Sequence, residues 1–156
     1  MSNFSDRQRL EFEINAVFEQ ACLVDEELQG SLARYACVLA NGYLEAVCRE
    51  VIEAYCGSRA HPSIVRYIQR RLKLFGDPNT EKVLQLAGDF GDDFRSNIEA
   101  RIDEQTKDCI NSIYAHRNNI AHGRRSDISI TRIKQYFVGA KKLHKHLVEH
   151  FPCEHH

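Results

Sequence analysis

The stretch SLARYACVLANGYLEAVCREVIEAY, residues 31–55, decides the fold. Leu32, Tyr35, Ala36, Leu39, Tyr43, Leu44, Val47, Val51 and Tyr55 return at helical period over about seven turns, with no period-2 alternation. Gly30-Ser31 precedes the run and Gly57-Ser58 ends it, so one long buried helix is expected.

The same reading extends in both directions. Upstream, Ser5 and Gln8 have the spacing of a capping box, followed by the stripe Leu10, Ile14, Val17, Phe18 and Ala21. Downstream, Pro62 suits the first turn of a helix with Ile64, Ile68, Leu72 and Phe75 on one face. Gly76-Asp77-Pro78-Asn79 reads as a turn, and Val83, Leu84 and Ala87 as a short helix. Gly88-Asp89-Phe90-Gly91 breaks it, and Asp92 or Asp93 is expected to cap the helix of Phe94, Ile98 and Ile102. Cys109, Ile110, Ile113 and Tyr114 continue after a break near Asp103, and Gly123 stops that helix. Ser129 or Thr131 opens the last long helix, with Ile133, Phe137, Ala140, Leu143 and Leu147 inward. The expected fold is all-α, an up-and-down bundle of four main helices plus short ones, forming one domain over residues 1–156 with a mobile tail from about 152.

Composition excludes several classes. With 156 residues, 43% of them apolar and 28% charged, the chain can build one core. No run approaches the roughly 20 apolar residues of a membrane span, and MSNFSDRQRLEFE carries no signal-peptide h-region. Six cysteines (22, 37, 48, 56, 109 and 153) lack any C-x-x-C, and Cys37, Cys48 and Cys109 occupy apolar helical positions. Reduced thiols in a cytoplasmic protein are expected.

The net charge of -1 conceals segregation. Residues 54–76 hold five cations and no acid, and residues 109–148 hold eight cations against Asp127 alone. Such blocks bind phosphate, face an acidic partner, or pair with the acids of the first two helices.

The second block contains IYAHRNNIAHG, residues 113–123. Arg117-x4-His122, with Asn118 after the Arg and Gly123 after the His, resembles the R-x4-6-H signature of the HEPN superfamily of small α-helical ribonucleases and nucleic-acid-associated toxins. Ala40-Asn-Gly-Tyr-Leu-Glu45 is similar to the polar-bearing helix that packs across the motif helix in several HEPN families, which makes Asn41 and Glu45 supporting residues. The resemblance implies metal-independent RNA cleavage, without a cofactor, by a cytoplasmic homodimer in which two motifs meet across the interface. It further implies a toxin or defence effector, with an antitoxin or regulatory protein as a partner. In one toxin subgroup a Tyr two residues after the His is modified by a nucleotidyltransferase antitoxin; Arg124 stands there instead.

The chemistry of these residue types agrees. RNA carries its own nucleophile, the 2′-OH, so an enzyme supplies only proton transfer and charge stabilisation. Histidine exchanges protons near neutral pH, and the arginine fork matches two phosphate oxygens. Asn118 and His122 share a helix face, whereas Arg117 and His122 lie about 140° apart on an ideal helix. A site composed of two chains answers that geometry. Arg124, Arg125, Lys134 and Lys141, with Lys145, are candidates to hold RNA phosphates. Plainer roles fit the same residues: His122 as a helix C-terminal histidine, Arg117 as an ion-pair partner of Glu45, Arg124 and Arg125 as a solvated loop. A non-catalytic domain binding RNA or a protein is the corresponding alternative function. His144, His146, His150, Cys153, His155 and His156 cluster at the C-terminus; His146 and His150 have metal-ligand spacing, but no metal site is expected there.

Overall fold

The computed structural model describes residues 4–153. Among them the chain forms seven helices: α1 (Asp6–Ala21), α2 (Glu26–Gly57), α3 (Pro62–Leu72), α4 (Thr80–Gly88), α5 (Asp92–Arg101), α6 (Glu104–Ala121) and α7 (Ile130–His150). The four long ones, α1, α2, α6 and α7, form a helical bundle, and α3, α4 and α5 are the short additions. None of the described helices is long and apolar enough to cross a membrane.

Local chemistry sets the boundaries. Ser5 and Gln8 form the capping box of α1, each side chain bonding the other's backbone N–H. Asp103 caps α6 and Ser129 caps α7. Helix α3 ends at Leu72, short of the expected Phe75, and two expected helix starts fail. Helix α2 starts at Glu26 rather than after Gly30, because Asp25 accepts from the Leu28 N–H and nucleates the helix one turn earlier. Gly30 then sits inside a 32-residue helix, where its propensity cost of roughly 1 kcal/mol is outweighed by the packing of the whole rod. Neither Asp92 nor Asp93 caps α5: Gly91 does so, without a side-chain bond, and both acids occupy the first turn, where they favour the helix dipole.

Helix α2 is the spine. Ala36, Cys37, Ala40, Tyr43, Leu44, Val47 and Cys48 are buried, and α1, α3, α6 and α7 all pack on it. Phe137 of α7 meets Tyr43 edge to face at 5.0 Å between ring centres. Helices α6 and α7 approach so closely at Gly139 that a Cβ there would collide with the Cys109 side chain. A second aromatic cluster, Tyr55, Phe90, Phe94 and Phe151, ties the end of α2 to α5 and the chain end. Phe151 is buried; residues 154–156 of the tail expected to be mobile lie outside the described residues.

All six cysteines are free. Burial pushes the Cys37 and Cys48 thiols up to about 12, which makes them poor nucleophiles at neutral pH, while Cys109 is only half-buried. Among the described residues, the ion pairs of the α1 and α2 acids stay largely with those two helices, as in Arg7–Glu11, Arg7–Glu50, Arg9–Glu13 and Arg49–Glu45.

Candidate active site

Helix α6 ends in a Schellman motif. Gly123 adopts φ 65°, its N–H bonds the Ile120 carbonyl at 3.1 Å, and the Arg124 N–H bonds the Asn119 carbonyl at 2.8 Å. A side chain at position 123 would be strained, so the glycine fixes where the helix stops. That makes His122 the C-cap, solvent-exposed, with its backbone N–H on the Asn118 carbonyl. Its imidazole has no hydrogen-bond or ion-pair partner among the described residues. Asn118 lies one turn earlier, half-buried.

Arg117 points elsewhere. Its Nη1 lies 2.9 Å from Asp77 Oδ1, so its partner is Asp77 and not Glu45. Glu45 acts one step back: its Oε1 accepts the Asp77 backbone N–H at 2.9 Å, and its Oε2 pairs with Arg49 at 3.1 Å. Asn41, only 4% exposed, donates from Nδ2 to both Glu45 Oε1 and Asp77 Oδ1 at 3.3 Å. Its Oδ1 has no partner among the described residues. The two polar residues of α2 therefore hold the turn that holds Arg117. One turn earlier, the Cys37 Sγ reaches the Ile113 carbonyl at 3.6 Å, where α2 crosses α6.

The turn itself is clamped from several sides. Asp77 has φ 48°, a conformation Asp tolerates better than most residues. Lys82 Nζ donates to the carbonyls of Gly76 and Asp77, at 3.2 and 3.1 Å. Thr80, just beyond, takes its N–H to Asn111 Oδ1 and its hydroxyl to the Lys107 carbonyl, both on α6. The sequence marks Gly76–Asn79 only as a turn and does not single out Asp77 as the partner of Arg117. An acid directly after a cationic block, with Gly before it and Pro after it, is the signal that was available. Glu45 is the acid expected beside Arg117, whereas the fold puts Asp77 there and leaves Glu45 one contact behind it.

The remaining candidates divide. Arg124 and Arg125 are exposed in the loop after α6, where Arg125 Nε pairs with Asp127 at 3.0 Å and Arg124 has no ion pair among the described residues. Lys134 and Lys141 lie on another flank of α7. Lys134 Nζ sits over the Phe18 ring of α1 at 5.6 Å, and Lys141 Nζ over Phe137 at 5.3 Å. The flank of α7 that faces α6 is marked by Tyr136, stacked on His116 at 6.1 Å, and lies about 140–160° round the helix from both lysines. Among the described residues the contacts of both lysines are with aromatic rings of α1 and α7, not with the motif. His116 Nδ1 is 3.0 Å from the Ser126 hydroxyl, and burial holds its imidazole below the usual histidine range despite Asp127 nearby.

Among the described residues no group of three or more His, Cys, Asp or Glu side chains could hold a metal ion. His155 and His156 of the C-terminal cluster lie outside those residues. Asp77 and Glu45 are each engaged by a guanidinium.

A family model described as RiboL-PSP-HEPN matches residues 3–152. No curated protein and no solved structure matches the chain.

Proposed function

The chain belongs to the RiboL-PSP-HEPN family, and from that premise we propose that it is a metal-independent endoribonuclease acting as a homodimer. The observation that carries this reading is the pairing of a positioned cation with an unengaged imidazole on one helix end. Arg117 is held by Asp77, and His122 stands exposed at a C-cap defined by Gly123. Arg117 faces the Asp77 turn and His122 does not, so neither chain alone surrounds a phosphate. Two copies meeting at this end would.

The surface beside the site suits such a contact. Tyr35 and Val38 are 51% and 42% exposed and lie on α2 within two turns before Asn41. Exposed apolar side chains next to a charged network are what a second copy would cover. In the assembled site His122 takes the proton of the substrate 2′-OH as its oxygen attacks phosphorus. The bond to the 5′ oxygen breaks, and that oxygen receives a proton from histidine. Arg117 neutralises the extra charge on the phosphoryl oxygens, Asn118 orients the site, and Arg124 and Arg125 hold neighbouring phosphates. A cytoplasmic toxin or defence effector, restrained by an antitoxin or regulatory protein, is the matching role.

A second reading is favoured by one observation: the Arg117 charge is already answered by Asp77. On that reading the domain binds RNA or a protein and cleaves nothing. One experiment separates the two. Wild type, Arg117→Ala and His122→Ala are incubated with a labelled single-stranded RNA in EDTA. The nuclease gives fragments ending in 2′,3′-cyclic phosphate and 5′-hydroxyl, loses activity in both variants, and spares a substrate with 2′-deoxyribose at the cut site. Metal dependence or comparable cleavage of DNA would overturn the 2′-OH mechanism, and no cleavage at all supports the binding module.

A further inference from the structure

The first basic block takes no part in the site above, and α3 presents it as a surface. Val65, Ile68 and Leu72 lie toward α2, with Leu72 buried and Ile68 packed on the core. The opposite side carries Ser63, Arg66, Tyr67 and Arg70, which line one shallow groove. Arg66 and Arg70 are exposed, one turn apart, and Tyr67 between them is 61% exposed. Arg66, Arg70, Arg71 and Lys73 form no ion pair among the described residues, and residues 54–76 contain no acid to offer one. Unpaired cations flanking an exposed ring fit a chain of phosphates with planar bases: the cations take the phosphates and the ring stacks on a base.

Helix α3 also leads to the site. It ends at Leu72, and the chain runs through Lys73, Phe75 and Gly76 to Asp77, the partner of Arg117. We infer that the outer face of α3, through Arg66, Tyr67 and Arg70, is a docking surface for single-stranded RNA that continues toward Arg117. The inference rests on RNA as substrate and adds the path the strand takes. A membrane is disfavoured as the occupant, because a helix that lies on lipid buries its apolar face there. In α3 that face is covered by α2, and the outward one is cationic.

The test uses the full-length chain and a fluorescein-labelled 2′-O-methyl oligouridylate, which has no free 2′-OH to react. Binding is read by anisotropy across a salt series. Arg66→Glu with Arg70→Glu should raise Kd about tenfold or more and reduce the salt slope by roughly 1.4, the contribution of two single-strand phosphates. Tyr67→Ala should weaken binding by roughly 5- to 150-fold with the slope kept, and Tyr67→Phe should retain it. All three side chains are exposed, so melting curves should match wild type. Unchanged Kd and slope in the double Glu variant would overturn the inference. So would equal displacement by a polyglutamate of matching charge, or a loss confined to phosphatidylserine vesicles. Failure of cleavage with these binding effects intact would sink the nuclease alone; normal cleavage and binding by the α3 variants would sink this surface alone.

Discussion

Arg117 and Asp77 meet at 2.9 Å between α6 and the turn before α4, and the backbone of Asp77 is held in turn by Glu45 of α2. Three segments far apart in sequence thus converge on one guanidinium. The pair is 31% and 39% exposed, and pairs at that depth contribute only about 0–1 kcal/mol to stability. What the arrangement supplies is direction, since a fork held on one side presents its remaining N–H groups on the other.

That assignment predicts the behaviour of Asp77→Asn. Asparagine tolerates the positive φ at this position, so the substitution removes charge without straining the turn. The unfolding free energy from urea titration should change by less than about 1 kcal/mol. RNA cleavage should fall roughly 10- to 100-fold in kcat, with KM little changed, as expected for a misplaced transition-state group. Full activity would show that Arg117 needs no positioning by Asp77.

The apolar pair next to this network gives a prediction about assembly. Val38→Glu puts a charge where a second copy would lie, on an exposed position that costs the monomer little. Light scattering should report a dimer for wild type and a monomer for the variant, with cleavage lost and helical content unchanged. A dimeric, active Val38→Glu protein would place the interface elsewhere.

How much of this was legible in the sequence depends on the range of the interactions. Gly123, Asp103 and the Ser5/Gln8 box act within one turn, and each holds the place its local chemistry assigns. The stripe of residues 32–55 succeeded for the same reason, since core-facing period is a property of one helix. Tyr35 falls in that stripe and Ile64 on the expected inner face of α3, yet both are more than half exposed, because a stripe wider than its partner leaves its margin in solvent. Arg117 and His122 could be singled out by resemblance, but the identity of Arg117's partner could not: Asp77 reaches it only through the packing of α2, α4 and α6. The unpaired state of the α3 cations is equally a property of the whole fold.

Gly139 shows the same limit and supplies a test. Helix propensity alone says that Gly139→Ala in the interior of α7 should stabilise by up to about 1 kcal/mol. The fold says the opposite, because the new methyl meets the Cys109 side chain where α6 and α7 touch. Overpacking of about 1–3 kcal/mol should lower Tm by roughly 3–10 °C. Adding Cys109→Gly should recover part of the loss by removing the atoms in the way. A rise in Tm for the single variant would show that the two helices separate at little cost.

Stability should fall on mild acidification, and three histidines give the sign. Burial lowers the imidazole pKa of His116 and of His144, where Arg7 adds to the effect, and of His150, where Arg101 does. Each therefore binds its proton more readily in the unfolded chain than in the folded one. Where the unfolded state holds more protons, stability rises with pH. The contribution is complete above the ordinary histidine value of about 6.5 and is lost as pH falls through the depressed folded values. Carboxylates titrate mainly below about pH 5, so the interval from 7.5 to 5.5 isolates the histidines. Urea midpoints at pH 7.5, 6.5 and 5.5 should decline stepwise in wild type. His144→Gln and His150→Gln, combined, should flatten that decline whatever they do to the midpoint at pH 7.5. A midpoint that holds or rises toward pH 5.5 would mean that these imidazoles gain, rather than lose, proton affinity on folding.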